Sequence, residues 1–546
     1  MKPLIVCLIL LLVSLPVGAG EGRALWLNVG DYPPDAQGME ELFATLAEAN
    51  FNMVFPQVFY HGQTVYPSSW AASYGIRTQN PRFAHWDPLG VLVELGAKYG
   101  IEIHPWLDVL YVGYREPGAI LDVYPHWAME GFDGQRGHGP ANSSRFWLSP
   151  VEPQARGYLI GLIEELVTRY PVDGIHLDYI RYPDPQVMDF GYEERALEAF
   201  GDLTGVRERP HPDHVEHYSL WNRWRGEQIT SLVEEIAGVL PENVALSAAV
   251  SPGGIPYRAY PGLLQPWADW VDYLDFLVPM AYSSRLKEVA GMIRYTRYKA
   301  GELAIMAGLQ LWKLPQPNYP VEQVEIARAA GAQGVALFAL PYLNSQILRD
   351  LAEGPFATPM KPLYGQGGEA VDISEAPQLV LPVGQPIYLE EFTSITGEEW
   401  SEPVTMVLVQ DGEFLSIEFR IDVPVTNATI THRDGPVFYD DVVEVFFDPS
   451  GDTGLYYHLA LNPLGTQYDA HSFMGPRWDG PWQAEAELTD SGWRGVIRIP
   501  LDLVGEGSES WSFNIGVGIG DRFASWSPMP GIFHAPENFG RLIFSR

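Results

Sequence analysis

The sequence predicts an α/β protein, a (β/α)8 TIM barrel followed by a C-terminal β-sandwich. Three observations carry that prediction. Between residues 21 and 353, short apolar runs alternate with amphipathic stretches, which is the rhythm of successive βα units. Residues 354–385 are rich in Pro and Gly and lack periodicity, so they read as a linker. From 386 to 546, short strand patterns follow one another with close turns and little helical periodicity, as in a sandwich.

Eight barrel strands are expected, at Ala24–Val29, Asn52–Val58, Ile101–Leu107, Gly174–Asp178, Val244–Val250, Phe276–Ala281, Leu303–Leu309 and Gly334–Ala339. Amphipathic stretches between them predict helices, among them Met39–Ala49, Leu89–Tyr99, Gln154–Tyr170, Leu220–Leu240 and Val321–Ala330. In the second region, Phe414–Ile421, Val442–Phe447, Tyr456–Asn462, Trp493–Ile499 and Ser512–Gly518 carry strand patterns.

The chain begins with Lys2, an apolar run Leu4–Leu15, and the small residues Val17, Gly18 and Ala19. That is the layout of a signal peptide over residues 1–20, with an apolar core too short for a comfortable membrane span. A secreted, periplasmic or cell-envelope location is therefore expected, with no membrane span after cleavage. The single cysteine, Cys7, lies inside this segment, so the mature chain is expected to have no disulfide and no thiolate chemistry. Acidic residues outnumber basic ones 69 to 34, giving a formal charge of −35, which argues against nucleic acid as a partner. Seventeen Trp and 28 Tyr suit a polysaccharide partner, because sugar C–H faces stack on aromatic rings. Oligomeric state is not readable from these features.

Side chains alternate faces along a strand, so parity sorts the barrel residues. On the fourth strand Ile175 and Leu177 suit the outer helices, which turns Gly174, His176 and Asp178 inward, Asp178 last. Polar groups at the carboxyl ends of barrel strands normally belong to the active site. By the same rule His104, Trp106 and Asp108 point inward on the third strand, and Gln310 and Trp312 face the mouth from the seventh. Gln57, Tyr282 and Asn28 complete the expected substrate-binding set. Carboxylates, amides, imidazoles and indoles in one mouth suit a sugar. No Gly-rich cradle with a Lys suits a phosphate. A metal-dependent hydrolase using His104, Asp108, His176 and Asp178 is an alternative, although no tight ligand motif is present and no cofactor is expected.

The run Val172-Asp173-Gly174-Ile175-His176-Leu177-Asp178-Tyr179-Ile180-Arg181-Tyr182-Pro183 resembles the strand-four signature of the glycosyl-hydrolase-like family 10 proteins. That group includes bacterial enzymes that cut denuded peptidoglycan glycan strands. Further stretches match in order: Phe55-Pro56-Gln57-Val58, Val65-Tyr66-Pro67-Ser68, Asp87-Pro88-Leu89, Glu102-Ile103-His104-Pro105-Trp106-Leu107, Trp147-Leu148-Ser149-Pro150, Val250-Ser251-Pro252-Gly253-Gly254-Ile255 and Asp275-Phe276-Leu277-Val278-Pro279-Met280-Ala281-Tyr282. The resemblance implies a barrel hydrolase of glycosidic bonds with Asp178 as the catalytic acid. The chain departs from the pattern at Tyr179, where many relatives have a second Asp, at Asp108, where relatives often have Asn, and at Met280-Ala281-Tyr282, where relatives often have Gln-Tyr. Hydrolysis normally needs two carboxyl groups. Asp108 is the favoured partner of Asp178, with Asp184 and Asp31 in reserve. Substrate assistance by a 2-acetamido sugar is the other route, with Tyr282 and Gln57 positioning the acetamide, and would fit an N-acetylhexosamine polymer such as peptidoglycan glycan strands. A non-catalytic polysaccharide-binding protein on a decayed barrel is a further alternative.

The C-terminal region resembles carbohydrate-binding modules of the family 9 type, through Asp440-Asp441-Val442-Val443-Glu444-Val445-Phe446-Phe447-Asp448-Pro449, Leu461-Asn462-Pro463-Leu464-Gly465-Thr466, Gly492-Trp493 to Ile499-Pro500, Trp511-Ser512-Phe513-Asn514-Ile515, Trp526-Ser527-Pro528 and Phe539-Gly540. Trp478, Trp482 and Trp526 are the expected sugar-stacking residues, while Trp493 and Trp511 sit in strand patterns and read as core. Asp440, Asp441 and Glu444 either close turns or help hold a structural Ca²⁺.

Overall fold

The computed structural model describes residues 20–185, 187–252, 263–362, 374–395, 399–451, 456–471, 478–503 and 509–545. The expected signal peptide up to Ala19, the central part of the expected linker and the end of the Val250–Ile255 stretch lie outside the described residues. Eight parallel strands close into a barrel: β1 Gly22–Leu27, β2 Met53–Tyr60, β3 Trp106–Asp108, β4 Gly174–Asp178, β5 Ala245–Val250, β6 Phe276–Pro279, β7 Ala304–Gln310 and β8 Gly334–Phe338. Each pairs with its sequence neighbour, and β8 returns to β1. The third strand is not continuous from Ile101 as expected. Glu102–Ile103 pairs with β2, the chain breaks at His104-Pro105, and pairing resumes at Trp106 with a register shift. Pro105 has no N–H to give the ladder, which accounts for the interruption.

Parity sorts the two faces as alternation requires. Leu25, Leu27, Ile103, Leu107, Ile175 and Leu177 join the layer under the helices. Trp26, Phe55, Trp106, Phe276, Val278 and Met306 fill the barrel interior. Gly174 is glycine for a packing reason: a Cβ there would lie 2.1 Å from His104 Nδ1.

Beneath the barrel a single device recurs four times. The residue just before each even-numbered strand accepts the N–H of the second residue of the preceding strand segment. Asn52 Oδ1 takes Arg23 N at 2.8 Å, and Asp173 Oδ2 takes Ile103 N at 2.8 Å. Asp275 Oδ2 takes Leu246 N at 2.7 Å, and Gln333 Oε1 takes Ile305 N at 2.9 Å. These bonds tie neighbouring strands at a common level.

The stretch expected as a linker is structured at both ends. Phe356 is buried under the floor, with the Arg23 guanidinium 4.7 Å from its ring centre. Backbone carbonyls of Phe356, Thr358 and Met360 accept from Arg23 and Asn52. Further on, Gln378–Pro382 runs parallel to Gly540–Ser545 as a strand of the sandwich, so that domain starts before residue 386. Proline and glycine content marks an aperiodic chain; it does not reveal backbone pairing with a strand more than 150 residues away.

The sandwich packs a main sheet, centred on Ser510–Ile519 and Val442–Asp448, against a five-stranded sheet centred on Phe414–Ile421. Trp493 and Trp511 lie in its core, as their strand positions predict. It is also welded to the barrel. Ile532, Phe533 and Phe539 share one apolar cluster with the barrel's outer layer. A Cβ on Gly291 of the helix Leu286–Ala300 would lie 2.3 Å from the Gly531 carbonyl oxygen. Lys299 pairs with Glu537 at 3.0 Å, and Asn538 Nδ2 donates to Tyr298 Oη at 3.1 Å.

Replacing Asp173 with Ala leaves the Ile103 N–H without its charged acceptor. Asp173→Ala is expected to lower unfolding stability by about 1.5–3 kcal/mol, the range for hydrogen bonds to charged groups. Asp173→Asn, which keeps an acceptor oxygen, should recover most of it, as read by urea denaturation.

Candidate active site

The carboxyl ends of the strands open into a cavity of about 910 Å³. Asp108 and Asp178, the last residues of β3 and β4, both line it and are register partners on adjacent strands. Neighbouring strands run about 4.8 Å apart, so the two carboxyls stand side by side on one wall. Asp108 is 1% exposed and Asp178 9%. Burial raises Asp178 to about 6, against the opposing pull of the Tyr179 N–H and Arg181. Burial, with the charge of Asp178 added, pushes Asp108 well above the usual carboxylate range. Both carboxyls are therefore held toward the neutral form by burial, and the charge of each disfavours the charge of the other.

Local structure aims each acid. Gln57, on β2, donates Nε2 to both carboxyl oxygens of Asp108 at 3.2 and 3.1 Å, while its Oε1 accepts Val29 N at 3.1 Å. Tyr179 turns the chain out of β4 in the left-handed region, at φ 49°. Its N–H donates to Asp178 Oδ1 at 2.6 Å. A left-handed non-glycine residue costs about 1–2 kcal/mol, so it must be held from outside. The Tyr179 ring is held between Tyr111 and Trp147, with the Arg181 guanidinium 5.0 Å from its centre.

The other expected residues divide into three groups. Asn28, Trp106 and Tyr282 line the mouth with Asp108, Asp178, Asp31 and Asp184; Asn28 Nδ2 donates to Asp31 Oδ2 at 2.7 Å. Gln57 also borders the mouth, but its amide is engaged in holding Asp108. His104 and His176 were expected to meet substrate and do not reach the cavity; both are completely buried beneath it. His176 Nε2 accepts from Trp26 Nε1 at 3.0 Å, its Nδ1 meets Ser247 Oγ at 2.9 Å, and its ring stacks 4.1 Å from Phe55. Burial drives its pKa well down, so it is a neutral brace across the barrel interior. Gln310 and Trp312 line a second cavity, which shares Tyr282 with the first as a lining residue.

With both His176 nitrogens engaged inside the barrel, His104, Asp108, His176 and Asp178 do not form the ligand set of the metal-dependent alternative. Among the described residues no group of three or more His, Cys, Asp or Glu is placed to hold a metal ion. In the sandwich, Asp440 accepts the Thr429 and Ile430 N–H groups and Asn462 Nδ2, whereas Asp441 accepts from Thr426 and Gly520. Glu444 meets His458 at 2.6 Å. These acids close loops rather than converge on one cation. Trp482, expected to stack sugar, is 4% exposed in the sandwich core. Trp478 and Trp526 are partly exposed but pack against that core.

Some of the cavity wall was not readable as such. Tyr111–Tyr114 pairs with Arg145–Trp147 to form a small hairpin above the mouth, contributing Tyr111, Tyr114, Arg145 and Trp147. Trp147 lies in one of the family-like stretches, which is the only signal that could have found it. Met280 and Phe338, at the ends of β6 and β8, add apolar wall.

Among curated proteins the chain is 25% identical over 263 residues to the glycosyl hydrolase DigH of Escherichia coli O6:H1, covering 45% of this chain and 58% of that one. It is 23% identical over 298 residues to the glycosyl hydrolase YngK of Bacillus subtilis, covering 48% and 54%. The chain thus spans little more than half the length of these relatives. Among solved structures, the PgaB (BpsB) glycoside hydrolase domain of Bordetella bronchiseptica aligns with a TM-score of 0.44 at 15% identity, covering 59% of this chain and 95% of that one. A family 9 carbohydrate binding module of Caldicellulosiruptor kristjanssonii in complex with cellotriose aligns with a TM-score of 0.24 at 15% identity, covering 31% and 93%. The profile of the family described as Glycosyl hydrolase-like 10 matches residues 21–323, from β1 past β7 and over more than half of the sequence, and the chain belongs to that family.

Proposed function

We propose that the protein hydrolyses glycosidic bonds in an N-acetylhexosamine polymer, such as a peptidoglycan glycan strand, with Asp108 and Asp178 as the reacting pair. The observation that carries this reading is the register pairing of two buried acids at the barrel mouth, both raised above the usual carboxylate range by burial. A protonated and an ionised carboxyl are what glycoside cleavage requires. Family membership and the names of the curated relatives support the reaction class.

The placement of the pair on one wall favours one version of the chemistry. Two carboxyls on adjacent strands approach the sugar from one side, whereas displacement at C1 needs a group on the face opposite the leaving oxygen. A 2-acetamido substituent supplies that group from the substrate itself. In this scheme Asp108 gives its proton to the glycosidic oxygen as the C1–O bond breaks. The acetamide carbonyl oxygen bonds to C1, and the ionised Asp178 accepts the acetamide N–H, stabilising the positive charge of the cyclic intermediate. Water then attacks C1, its proton passing to Asp108, and the ring reopens with net retention. This makes Asp108 the acid, where the family resemblance pointed to Asp178. Asp108 is the deeper of the two, and burial favours the neutral form. The N-terminal segment, read as an export signal, would bring the enzyme to such a polymer outside the cytoplasm.

Asp108→Asn is expected to lower reducing-end release from polymer by about 10²–10⁴-fold, the usual contribution of a general acid. It should keep much of its rate on aryl glycosides, whose leaving group needs no proton. Asp178→Asn should lose activity on both, and wild-type rates in that variant would end this assignment. The rate should rise with pH as Asp178 ionises near pH 6 and fall again where Asp108 loses its proton. In Asp108→Asn assayed on aryl glycosides, the alkaline limb should vanish. Chemical deacetylation of the polymer should abolish cleavage; equal rates on acetylated and deacetylated chains would instead make Asp178 the nucleophile.

A further inference from the structure

We propose that the cavity between barrel and sandwich is an outlying subsite of the same cleft, holding a pyranose unit of the strand being cut, so that the sandwich forms part of the active groove. This rests on the glycoside-hydrolase reading for the identity of the ligand. The cavity has a volume of about 600 Å³, within the usual range of ligand sites. It neighbours the catalytic mouth across Tyr282, which lines both spaces, so it lies where a strand leaving the acid pair on that side would run.

Its walls have the composition a sugar requires, contributed from both domains. On the barrel side, Trp312 lies edge-on to Tyr282 with ring centres 5.0 Å apart, forming an aromatic wall continuous with the mouth. On the sandwich side, Tyr439 is 41% exposed and lines the cavity. It is set in place before any ligand arrives. The Arg285 guanidinium lies 4.8 Å from its ring centre, and its carbonyl accepts Asn427 Nδ2 at 2.7 Å. Between these walls the cavity borders two buried polar side chains, Glu444 and His534. Glu444 meets His458, and His534 Nδ1 meets the Tyr456 hydroxyl at 2.7 Å, so both are held by partners behind the surface. A held carboxyl and imidazole beside aromatic walls offer fixed partners for hydroxyls and stacking surfaces for C–H faces.

The two halves of the site keep their relation because the domains share an apolar cluster and touch backbone to backbone at Gly291 and Gly531. A subsite built across a flexible linker would lack this preorganisation.

The test compares full-length wild type, Tyr439→Ala and Tyr439→Phe on hexameric and aryl-dimeric substrates from chitin, peptidoglycan glycan, cellulose and xylan. The hexamer-to-dimer ratio of kcat/KM should fall about tenfold in Tyr439→Ala, the scale of one lost stacking contact, and be retained in Tyr439→Phe. An unchanged ratio in Tyr439→Ala, or an equal fall on hexamer and dimer, overturns the subsite. Should wild type cut none of these, the hydrolase reading fails, and calorimetric binding of the same hexamers decides the subsite separately. Tenfold weaker binding in Tyr439→Ala than in wild type supports it. Equal binding, or no binding by wild type, overturns it.

Discussion

The register between β3 and β4 is the constraint on which the site depends. Asp173, just before β4, accepts the Ile103 N–H leading into β3, and five residues further along β4 the same pair of strands presents Asp178 beside Asp108. A slip of one residue would turn every inward side chain outward and separate the acids. Asn52, Asp275 and Gln333 repeat the tie around the floor, so the level of the mouth is set from below. The mouth carries the left-handed Tyr179 and the buried acids, and the opposite end carries the bonds that set their level.

Between floor and mouth, the interior determines the chemistry of the acids. Phe55, His176, Phe276 and Trp26 form a packed layer, and the imidazole is neutral because both its nitrogens are engaged and no solvent reaches it. That layer keeps water from reaching the carboxyls from beneath. Desolvation then raises both acids, the charge of Asp178 raises Asp108 further, and hydrogen bonds oppose the rise on both sides, from Gln57 at Asp108 and from the Tyr179 N–H at Asp178. The turn at Tyr179 and the electrostatics meet at one residue: its N–H favours charge on Asp178, and its ring is packed against Tyr111 and Trp147.

How far the sequence discloses this depends on the range of the interaction. Alternation along a strand is local, so the inward positions of His176, Asp178, Trp106 and Asp108 were legible from parity. What each side chain touches is not local. Gln57 reads as a substrate amide until its partner Asp108, 51 residues away, is seen to occupy it. His104 and His176 share the parity of the acids but lie lower, and parity carries no depth. The hairpin above the mouth escapes notice because strands of four and three residues inside a loop have no readable period. The sandwich strand Gln378–Pro382 hides in a Pro- and Gly-rich stretch because its partner comes from the far end of the chain. Trp482 looked like a sugar platform because an indole in a loop-rich sequence has no parity, and only burial separates core from surface.

The way the sandwich is attached changes what such a domain can do. A module on a flexible tether raises the local concentration of polymer and otherwise leaves the catalytic site alone. Here Ile532, Phe533 and Phe539 belong to the same apolar cluster as the barrel's outer layer, and Gly291 has no side chain because the Gly531 carbonyl occupies that space. Detaching the sandwich would expose that cluster and remove one wall of the cavity at Tyr282. Of the aromatic residues expected to bind sugar on the sandwich, Trp482 is buried in its core and the partly exposed Trp478 and Trp526 pack against it, while Tyr439 faces the cavity shared with the barrel. The surface the sandwich offers to the barrel mouth is thus the shared cavity rather than a separate face.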